Sequence, residues 1–185
     1  MQLLRLLAWL LCALPAAAAE DVVVDAQRRG NSVSLRAHAL IFVPTAVAWH
    51  VLTDYERLPT FIPGIARSSV RSRDGNRLTV EQAGAARFLI FSFPIEVRLE
   101  VLETPPYAVS SRALGGNLRR MDGRYELLPE SARGGVMLRY TGEIEPDFSL
   151  PPLIGLAAMR HMVEEQFTAM IAEIERRAVS APATR

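Results

Sequence analysis

Three histidines are the side chains of this sequence best suited to acid–base or metal chemistry near neutral pH. His38 falls on an outward position of a predicted strand, His50 in a short predicted helix and His161 in a long C-terminal helix. No pair of them has the i, i+4 spacing that places two metal ligands on one face of a helix. We therefore predict that the protein binds no metal and no cofactor, and we assign no catalytic residue. An enzyme built on this chain would have to use His161, on the inward half of its helix, as the base.

Two tyrosines provide the other polar chemistry. Strand alternation places Tyr125 and Tyr140 on the inward side of a sheet, where a hydroxyl can donate a hydrogen bond to a bound molecule. In a binding protein the two hydroxyls would orient the polar end of a ligand, whereas in a cyclase they would polarise a ketone. The residue pattern leaves both alternatives open.

Several classes of protein lack their motif in this sequence. Glu96 and Glu100 share a strand face with Arg98, which makes them a solvated ladder of charges rather than an acid–base pair. There is no Gly-x-Ser-x-Gly, no phosphate-binding loop and no Gly-x-Gly-x-x-Gly after a strand, so hydrolase and nucleotide functions have no anchor. With 21 basic and 20 acidic side chains in 185 residues, the chain also lacks the basic excess of a nucleic-acid-binding protein.

The first nineteen residues, MQLLRLLAWLLCALPAAAA, have the pattern of a secretory signal. One arginine precedes an apolar stretch of about a dozen residues that ends in Ala-x-Ala and is too short to span a bilayer. We predict a cleaved signal peptide at 1–19 and a periplasmic or secreted protein, with a retained membrane anchor as the alternative. Because Cys12 belongs to the signal, the mature chain would hold no cysteine and form no disulfide.

The elements that must position these side chains follow from the periodicity. Residues 20–31 are interpreted as a polar lead-in, and residues 33–43 alternate as a half-buried strand. Two short helices and a proline-rich loop follow, and residues 65–145 form a meander of about six antiparallel strands. In the clearest strand, FSFPIEVRLEVLE, every second residue from Phe91 to Val101 is apolar, which predicts one buried and one solvated face.

Beyond Pro151 the period becomes helical. An apolar stripe runs from Leu156 to Ile174 and predicts a long amphipathic helix, followed by a frayed tail at 179–185. The apolar face of the sheet and the apolar stripe of the helix must cover each other. We therefore predict an α+β domain in which a highly curved antiparallel sheet wraps around the C-terminal helix.

The segment AVAWHVLTDYERLPTFIPG carries a more specific signal than its periodicity. Its distinctive residues are Pro44 before the first helix, Trp49, the run Val51–Tyr55, Leu58–Pro59, Phe61 and Pro63. This segment resembles the START-like (SRPBCC) superfamily, in particular the polyketide cyclase/dehydrase and coenzyme Q-binding group. The resemblance extends over residues 32–178 and implies the helix-grip fold, with an apolar cavity between the sheet and the long helix.

The resemblance implies a binding protein or carrier for a hydrophobic small molecule, which would be lipid-like, an isoprenoid or a quinone. The residues expected to line the cavity come from the first helix, the following loop, the inner sheet face and the terminal helix: Trp49, Phe61, Phe91, Phe93, Met121, Tyr125, Leu138, Tyr140, Met159, Met162, Val163 and Phe167. Side chains that only fill a core would show the same pattern. The rival functions are an aromatase/cyclase-type enzyme acting on a polyketide-like substrate and an interaction module with a filled cavity.

Two surface features could mediate contact with a membrane. The loop 58–63 carries three large apolar groups and is either a lid that touches a membrane or a plug packed on the sheet, and we favour packing. Arginines cluster at 67–77 and at 112–124, either to attract anionic head groups or as an ordinary solvated surface. We expect a monomer that binds no nucleic acid and makes at most transient contact with a membrane surface.

Overall fold

The computed structural model of the protein describes residues 22–88, 90–147 and 152–180, without the side chains of residues 88, 91 and 152–154. The predicted signal peptide at 1–19 and the last five residues of the predicted tail lie outside the described residues.

One antiparallel sheet of eight strands has the spatial order β1-β2-β8-β7-β6-β5-β4-β3. The strands are β1 (Val23–Arg29), β2 (Ser32–Ile41), β3 (Ile65–Asp74), β4 (Arg77–Phe88), β5 (Phe91–Thr104), β6 (Ala108–Gly116), β7 (Leu118–Glu130) and β8 (Gly135–Pro146). Strands that follow each other are hydrogen-bonded neighbours, except that β2 pairs with β8 and β3 lies at the opposite edge. The chain therefore crosses the whole sheet once, between β2 and β3.

The crossing segment holds the two short helices that the sequence predicts. The first is α1 (Thr45–Leu52), which begins after Pro44, and the second is a 3₁₀ helix (Tyr55–Thr60) that contains Pro59. The long helix α2 (Pro152–Ser180) packs against α1, against β1 and β2 near one edge of the sheet and against β4 near the other. A single helix can contact strands near both edges of the sheet only because the sheet curls around it.

The alternation predicted from the sequence is the observed one. In β5, Val97, Leu99 and Val101 are buried, while Arg98 pairs with Glu81 of β4 at 2.9 Å on the outer face. The stripe of α2 is equally well buried, with Phe167 and Ile174 fully enclosed. The curved antiparallel sheet with a long C-terminal helix is the helix-grip architecture.

Two boundaries differ from the prediction. Within the region interpreted as a polar lead-in, Val23–Arg29 forms β1 and pairs with β2 across a turn at Gly30, whose φ is +62°. In this edge strand only Val24 and Ala26 are partly buried. An edge strand that buries so little side-chain surface does not need the strong apolar alternation by which a strand is recognised in a sequence. At the other end, α2 continues through the first two residues of the predicted tail to Ser180.

Candidate ligand-binding site

The concave face of the sheet and α2 enclose a cavity with two adjoining lobes. The first, which we call the tyrosine lobe, has a volume of about 150 Å³ and lies below α1 and the 3₁₀ helix. The second, the alanine lobe, has a volume of about 100 Å³ and is bordered by residues 83–86 of β4 and by the N-terminal half of α2. Six residues line both lobes: Ile65, Gln82, Met121, Ile144, Met162 and Gln166.

A pair of tyrosines gives the first lobe its polar character. Tyr125 of β7 and Tyr140 of β8 stand directly opposite each other in the ladder, and their ring centroids are 4.7 Å apart. Phe167 of α2 lies nearly parallel to Tyr125 at a centroid distance of 6.5 Å. Cross-strand register and the helix stripe thus bring three aromatic rings together that are far apart in sequence.

The Tyr140 ring is placed by two glycines. It leans along its own strand over Gly142, where an added Cβ would clash with the hydroxyl oxygen and stand 2.8 Å from Cζ. Gly123, paired with Gly142 across the ladder, leaves room for the other edge of the same ring, which would be 3.5 Å from its Cβ. These glycines serve to make space for a side chain, because neither has a positive φ.

Both tyrosines are protonated at neutral pH, and burial extends that state into the alkaline range. Burial raises the pKa of Tyr140 to about 12. Burial, followed by the proximity of Tyr140, raises the pKa of Tyr125 well above its usual range. Within the described part of the chain, no protein acceptor takes a hydrogen bond from either hydroxyl. The two groups are therefore neutral donors available to a bound molecule.

A buried polar network closes the end of the tyrosine lobe beside the 3₁₀ helix. Tyr55 donates a hydrogen bond of 3.0 Å to Oε1 of Glu103, and Arg73 holds both oxygens of that carboxylate at 3.1 and 3.3 Å. Burial, reinforced by the charge of Glu103, raises the pKa of Tyr55 far above its usual range. Sequence reasoning missed this network. The sequence signal for it was Glu103, which takes the next inward position of β5 after Val101, where the preceding inward residues are apolar.

Two glutamines stand where the lobes join. Gln82 lies within 3.4 Å of the Ser68 hydroxyl, and Gln166 donates a hydrogen bond of 3.1 Å to the carbonyl of Pro63. The backbone of the next residue, Gly64, is in close contact with that of Gly84, and the Gly64 carbonyl accepts a hydrogen bond of 2.8 Å from the Ala85 amide. The segment between the 3₁₀ helix and β3 is thereby fastened to both walls of the cavity.

The loop 58–63 packs inward, as the favoured interpretation has it. Leu58 and Ile62 are buried and line the tyrosine lobe. Phe61 is half-buried, and the guanidinium of Arg177 lies 5.4 Å from its ring centroid. Arg177 also pairs with Asp54 at 2.8 Å, which ties the end of α2 to the start of the 3₁₀ helix. Asp54 therefore serves as a tether, although it makes no side-chain cap for that helix.

The predicted site residues fall into two groups. Those that line a lobe are Phe93, Met121, Tyr125, Tyr140, Met159, Met162 and Val163. Leu138 and Phe167 are fully buried in the core, and Trp49 and Phe61 pack half-buried against it. The side chain of Phe91 lies outside the described residues. Their roles in binding a ligand stay predictions.

His161 is not part of the cavity. Its side chain is about half exposed on α2, with Nε2 3.5 Å from Glu165, and it lines neither lobe. Across residues 22–88, 90–147 and 152–180, no three acidic, histidine or cysteine side chains come close enough to hold a metal ion.

Most arginines of the two predicted clusters are neutralised on the outer face. In the first cluster Arg71, Arg73 and Arg77 pair with Glu81, Glu103 and Glu100 respectively. In the second, the ion pairs are Arg112 and Arg120 with Asp122, Arg119 with Asp147, and Arg124 with Glu126. Arg73 is the exception, because its partner Glu103 is buried on the inner face; the other pairs form a solvated outer surface of paired charges.

The family model described as "Polyketide cyclase / dehydrase and lipid transport" matches residues 41–171. The chain belongs to this family. The matched range runs from the end of β2 to the last turns of α2, so it includes the cavity with both tyrosines. No curated protein sequence matches the chain significantly.

Solved structures of both kinds named in that description share the fold. A STAR-related lipid transfer protein from Xanthomonas axonopodis is 14% identical with a TM-score of 0.65, covering 83% of this chain and 93% of its own. The Zhui aromatase/cyclase from Streptomyces sp. R1128 is 13% identical with a TM-score of 0.65, covering 80% and 94%. A START superfamily protein from Mycobacterium smegmatis is 12% identical with a TM-score of 0.60, covering 80% and 97%. At such identities the likeness establishes the fold alone.

Proposed function

We propose that this protein binds a neutral hydrophobic small molecule in the two-lobed cavity and acts as its carrier. The observation that carries the proposal is the composition of the lining. Within the described residues, no charged side chain lines either lobe, and the polar groups are hydroxyls and amides such as Tyr125, Tyr140, Ser111 and Gln82. A carboxylate or phosphate placed there would be buried without a counter-charge, at a large cost in desolvation.

The available donors favour a ligand that carries carbonyl or hydroxyl oxygens. The hydroxyls of Tyr125 and Tyr140 stay protonated and can each donate one hydrogen bond. An isoprenoid, a quinone or the tail of a lipid whose head group remains outside would meet these conditions. Burial of apolar ligand surface at roughly 25 cal/mol per Å² would provide most of the affinity.

Binding requires the cavity to expand. Each lobe is smaller than the about 300–1,000 Å³ of an ordinary ligand pocket. Met121 and Met162 line both lobes, and methionine is unbranched and adapts its shape readily. We expect these two side chains to move when a ligand enters, which would join the lobes into one elongated site.

We also propose that the protein works outside the cytoplasm, as a periplasmic or secreted carrier. The support is the signal-like pattern of residues 1–19. N-terminal sequencing of the protein from its native host tests this, since cleavage at the Ala-rich end would leave Glu20 as the first residue. A protein recovered from the cytoplasm with Met1 at its start would contradict the proposal.

Organic extraction followed by mass spectrometry tests the carrier function. The protein purified from its native host should yield a neutral apolar compound in amounts approaching one per chain. Ala158→Trp should reduce that amount strongly, because Ala158 lines the alanine lobe and is almost fully buried. Ala158→Leu is a milder filling variant, and Val179→Trp is the control, at a position that is 89% exposed. An extract without bound compound, or full loading of a folded Ala158→Trp protein, would refute the proposal.

An aromatase/cyclase-type activity is the second candidate, and one observation favours it. Tyr125 and Tyr140 place two neutral donors in the cavity, where they could polarise a ketone of a polyketide-like substrate. In that case Tyr140→Phe should abolish turnover while retaining binding, and His161→Ala should have no effect, because His161 lies outside both lobes. Unchanged turnover in Tyr140→Phe would remove this candidate.

A further inference from the structure

The tip of the β4–β5 hairpin exposes an apolar side chain. The sequence from residue 88 to residue 91 is Phe-Leu-Ile-Phe, four apolar residues at the end of two long strands. Ile90 is 92% exposed, whereas Leu114 at the end of β6 is 56% exposed. An isoleucine held in water at a hairpin end gains the most from being transferred into another apolar medium.

Two arginines on a groove that runs back from this tip along β3 and β4 differ from the paired arginines of the same strands. Arg87 directly precedes the tip, and Arg67 of β3 lines the same surface groove. Neither forms an ion pair within the described residues, and Glu96, which lines that groove as well, pairs with neither of them. The arginines toward the other end of β3 and β4 all have acidic partners, as at Arg71, Arg73 and Arg77. Uncompensated positive charge thus lies close to the exposed isoleucine at Arg87, and farther from it at Arg67, which is paired with Ala83 four residues along β4 from Arg87.

The cavity also reaches this end of the sheet. Ala86 and Phe93, which face each other across β4 and β5, line the alanine lobe and lie within a few residues of the tip. A surface in contact with the tip would therefore lie close to one end of the site proposed for the ligand.

We propose that the β4–β5 tip docks on an anionic lipid bilayer, with Ile90 entering the interface, Arg87 binding an acidic head group and Arg67 adding positive charge farther along the groove. An exposed isoleucine next to one unpaired arginine, with a second farther along the groove, matches the apolar interior and the anionic surface of such a bilayer. The docking gives the proposed ligand a route between membrane and cavity, and to that extent it rests on the proposed carrier function. In the part of the chain that the structure describes, no helix could cross a membrane, and the contact proposed is a peripheral one.

Vesicle sedimentation of the mature protein tests the proposal. The probes are vesicles of phosphatidylcholine with phosphatidylglycerol and vesicles of phosphatidylcholine alone. We expect binding to the anionic vesicles that weakens with salt, a loss of at least tenfold in Ile90→Asp, about fivefold in Arg87→Gln, and a smaller loss in Arg67→Gln, which lies farther from the tip. The matched controls should bind like the wild type: Leu114→Asp for the exposed apolar residue and Arg36→Gln, on β2, for the charge.

Three results would overturn the docking. The first is equal binding to neutral and anionic vesicles, and the second is an Ile90→Asp protein that binds as well as Leu114→Asp. The third is self-association of the wild type, measured by sedimentation velocity and abolished by Ile90→Asp, since the tip would then bind a second copy instead.

Ligand content separates this proposal from the proposed function. Ile90→Asp should keep its extractable compound when that compound is added in detergent, because Ile90 lines neither lobe. A protein that carries a compound but does not bind vesicles refutes the docking alone. A protein that binds vesicles through the tip but never carries a compound refutes the carrier function and leaves the docking in place.

Discussion

The replacement Gly142→Ala tests whether the floor of the tyrosine lobe is shaped by the absence of a side chain. An added methyl group would clash with the hydroxyl of Tyr140 and stand 2.8 Å from Cζ and 3.1 Å from Cε1. These are three atoms of one rigid ring, so a small shift of one atom cannot relieve the contact. The ring must swing away from the sheet, toward Tyr125 and into the lobe.

The cost can be estimated from three effects. Overpacking of a core typically costs about 1–3 kcal/mol. Disturbing the contact between Tyr140 and Tyr125 adds about 0.5–1.5 kcal/mol. Replacing glycine by alanine within a strand returns about 0.5–1 kcal/mol, because the unfolded chain loses freedom. We therefore expect Gly142→Ala to lower the free energy of unfolding by about 0.5–4 kcal/mol and to weaken ligand binding at the same time.

Urea unfolding followed by circular dichroism measures the change, with Gly115→Ala as the matched control. Gly115 also lies in a strand, and an added Cβ there meets nothing within 4 Å. The same Gly142→Ala change in a Tyr140→Leu background should cost almost nothing, because the clashing ring is gone. The reasoning is refuted if Gly142→Ala unfolds like Gly115→Ala, or if its cost is unchanged in the Tyr140→Leu background.

Three further predictions concern buried titratable groups. Hydrogen bonds from Arg176, followed by those from Arg177, lower the pKa of Glu173 to about 2 in the folded protein. The stabilisation by the Glu173 carboxylate is therefore complete above the pKa of the unfolded chain and is lost as pH falls toward 2. Glu173→Gln should make the acid unfolding curve flatter. The pKa of Tyr140 is raised to about 12 by burial, so its stabilisation is present below the unfolded value of about 10 and lost as pH rises through 12; Tyr140→Phe should reduce the loss of stability in alkali, and an unchanged alkaline curve would contradict the burial. Tyr55→Phe removes the donor to the buried Glu103 carboxylate and should cost about 1–3 kcal/mol in urea unfolding, whereas a negligible cost would show that Arg73 alone satisfies that group.

Local periodicity was sufficient for much of the fold. The alternation in β5 and the stripe of α2 correctly assigned Val97, Leu99 and Phe167 to the interior, because a residue's direction in a strand or helix depends on its position within that element. The inward direction of Tyr125 and Tyr140 followed from the same rule. In contrast, β1 carries little apolar alternation and exists through its hydrogen bonds to β2, so its partner had to be known first.

The boundary between cavity and core could not be predicted. Leu138 and Met121 both face inward, yet Leu138 is fully buried in the core and Met121 lines both lobes. The difference depends on where the curvature of the sheet takes it away from α2, and that distance is a property of the whole assembly. For the same reason Glu103 gave a signal by its inward position, while its partner Arg73, 30 residues away on β3, did not.

By itself, then, the sequence determined the order of the elements after β1, the inward faces of β5, β7, β8 and α2, and the family to which the chain belongs. Each of these depends on residue types at short, regular spacings, which act before any distant contact forms. Only the tertiary structure decided that Tyr140 lies over Gly142, that Tyr55 is bound to Glu103 and that Arg67 and Arg87 line one groove. These arrangements join strands and helices through the register and curvature of one sheet, and a linear pattern contains neither.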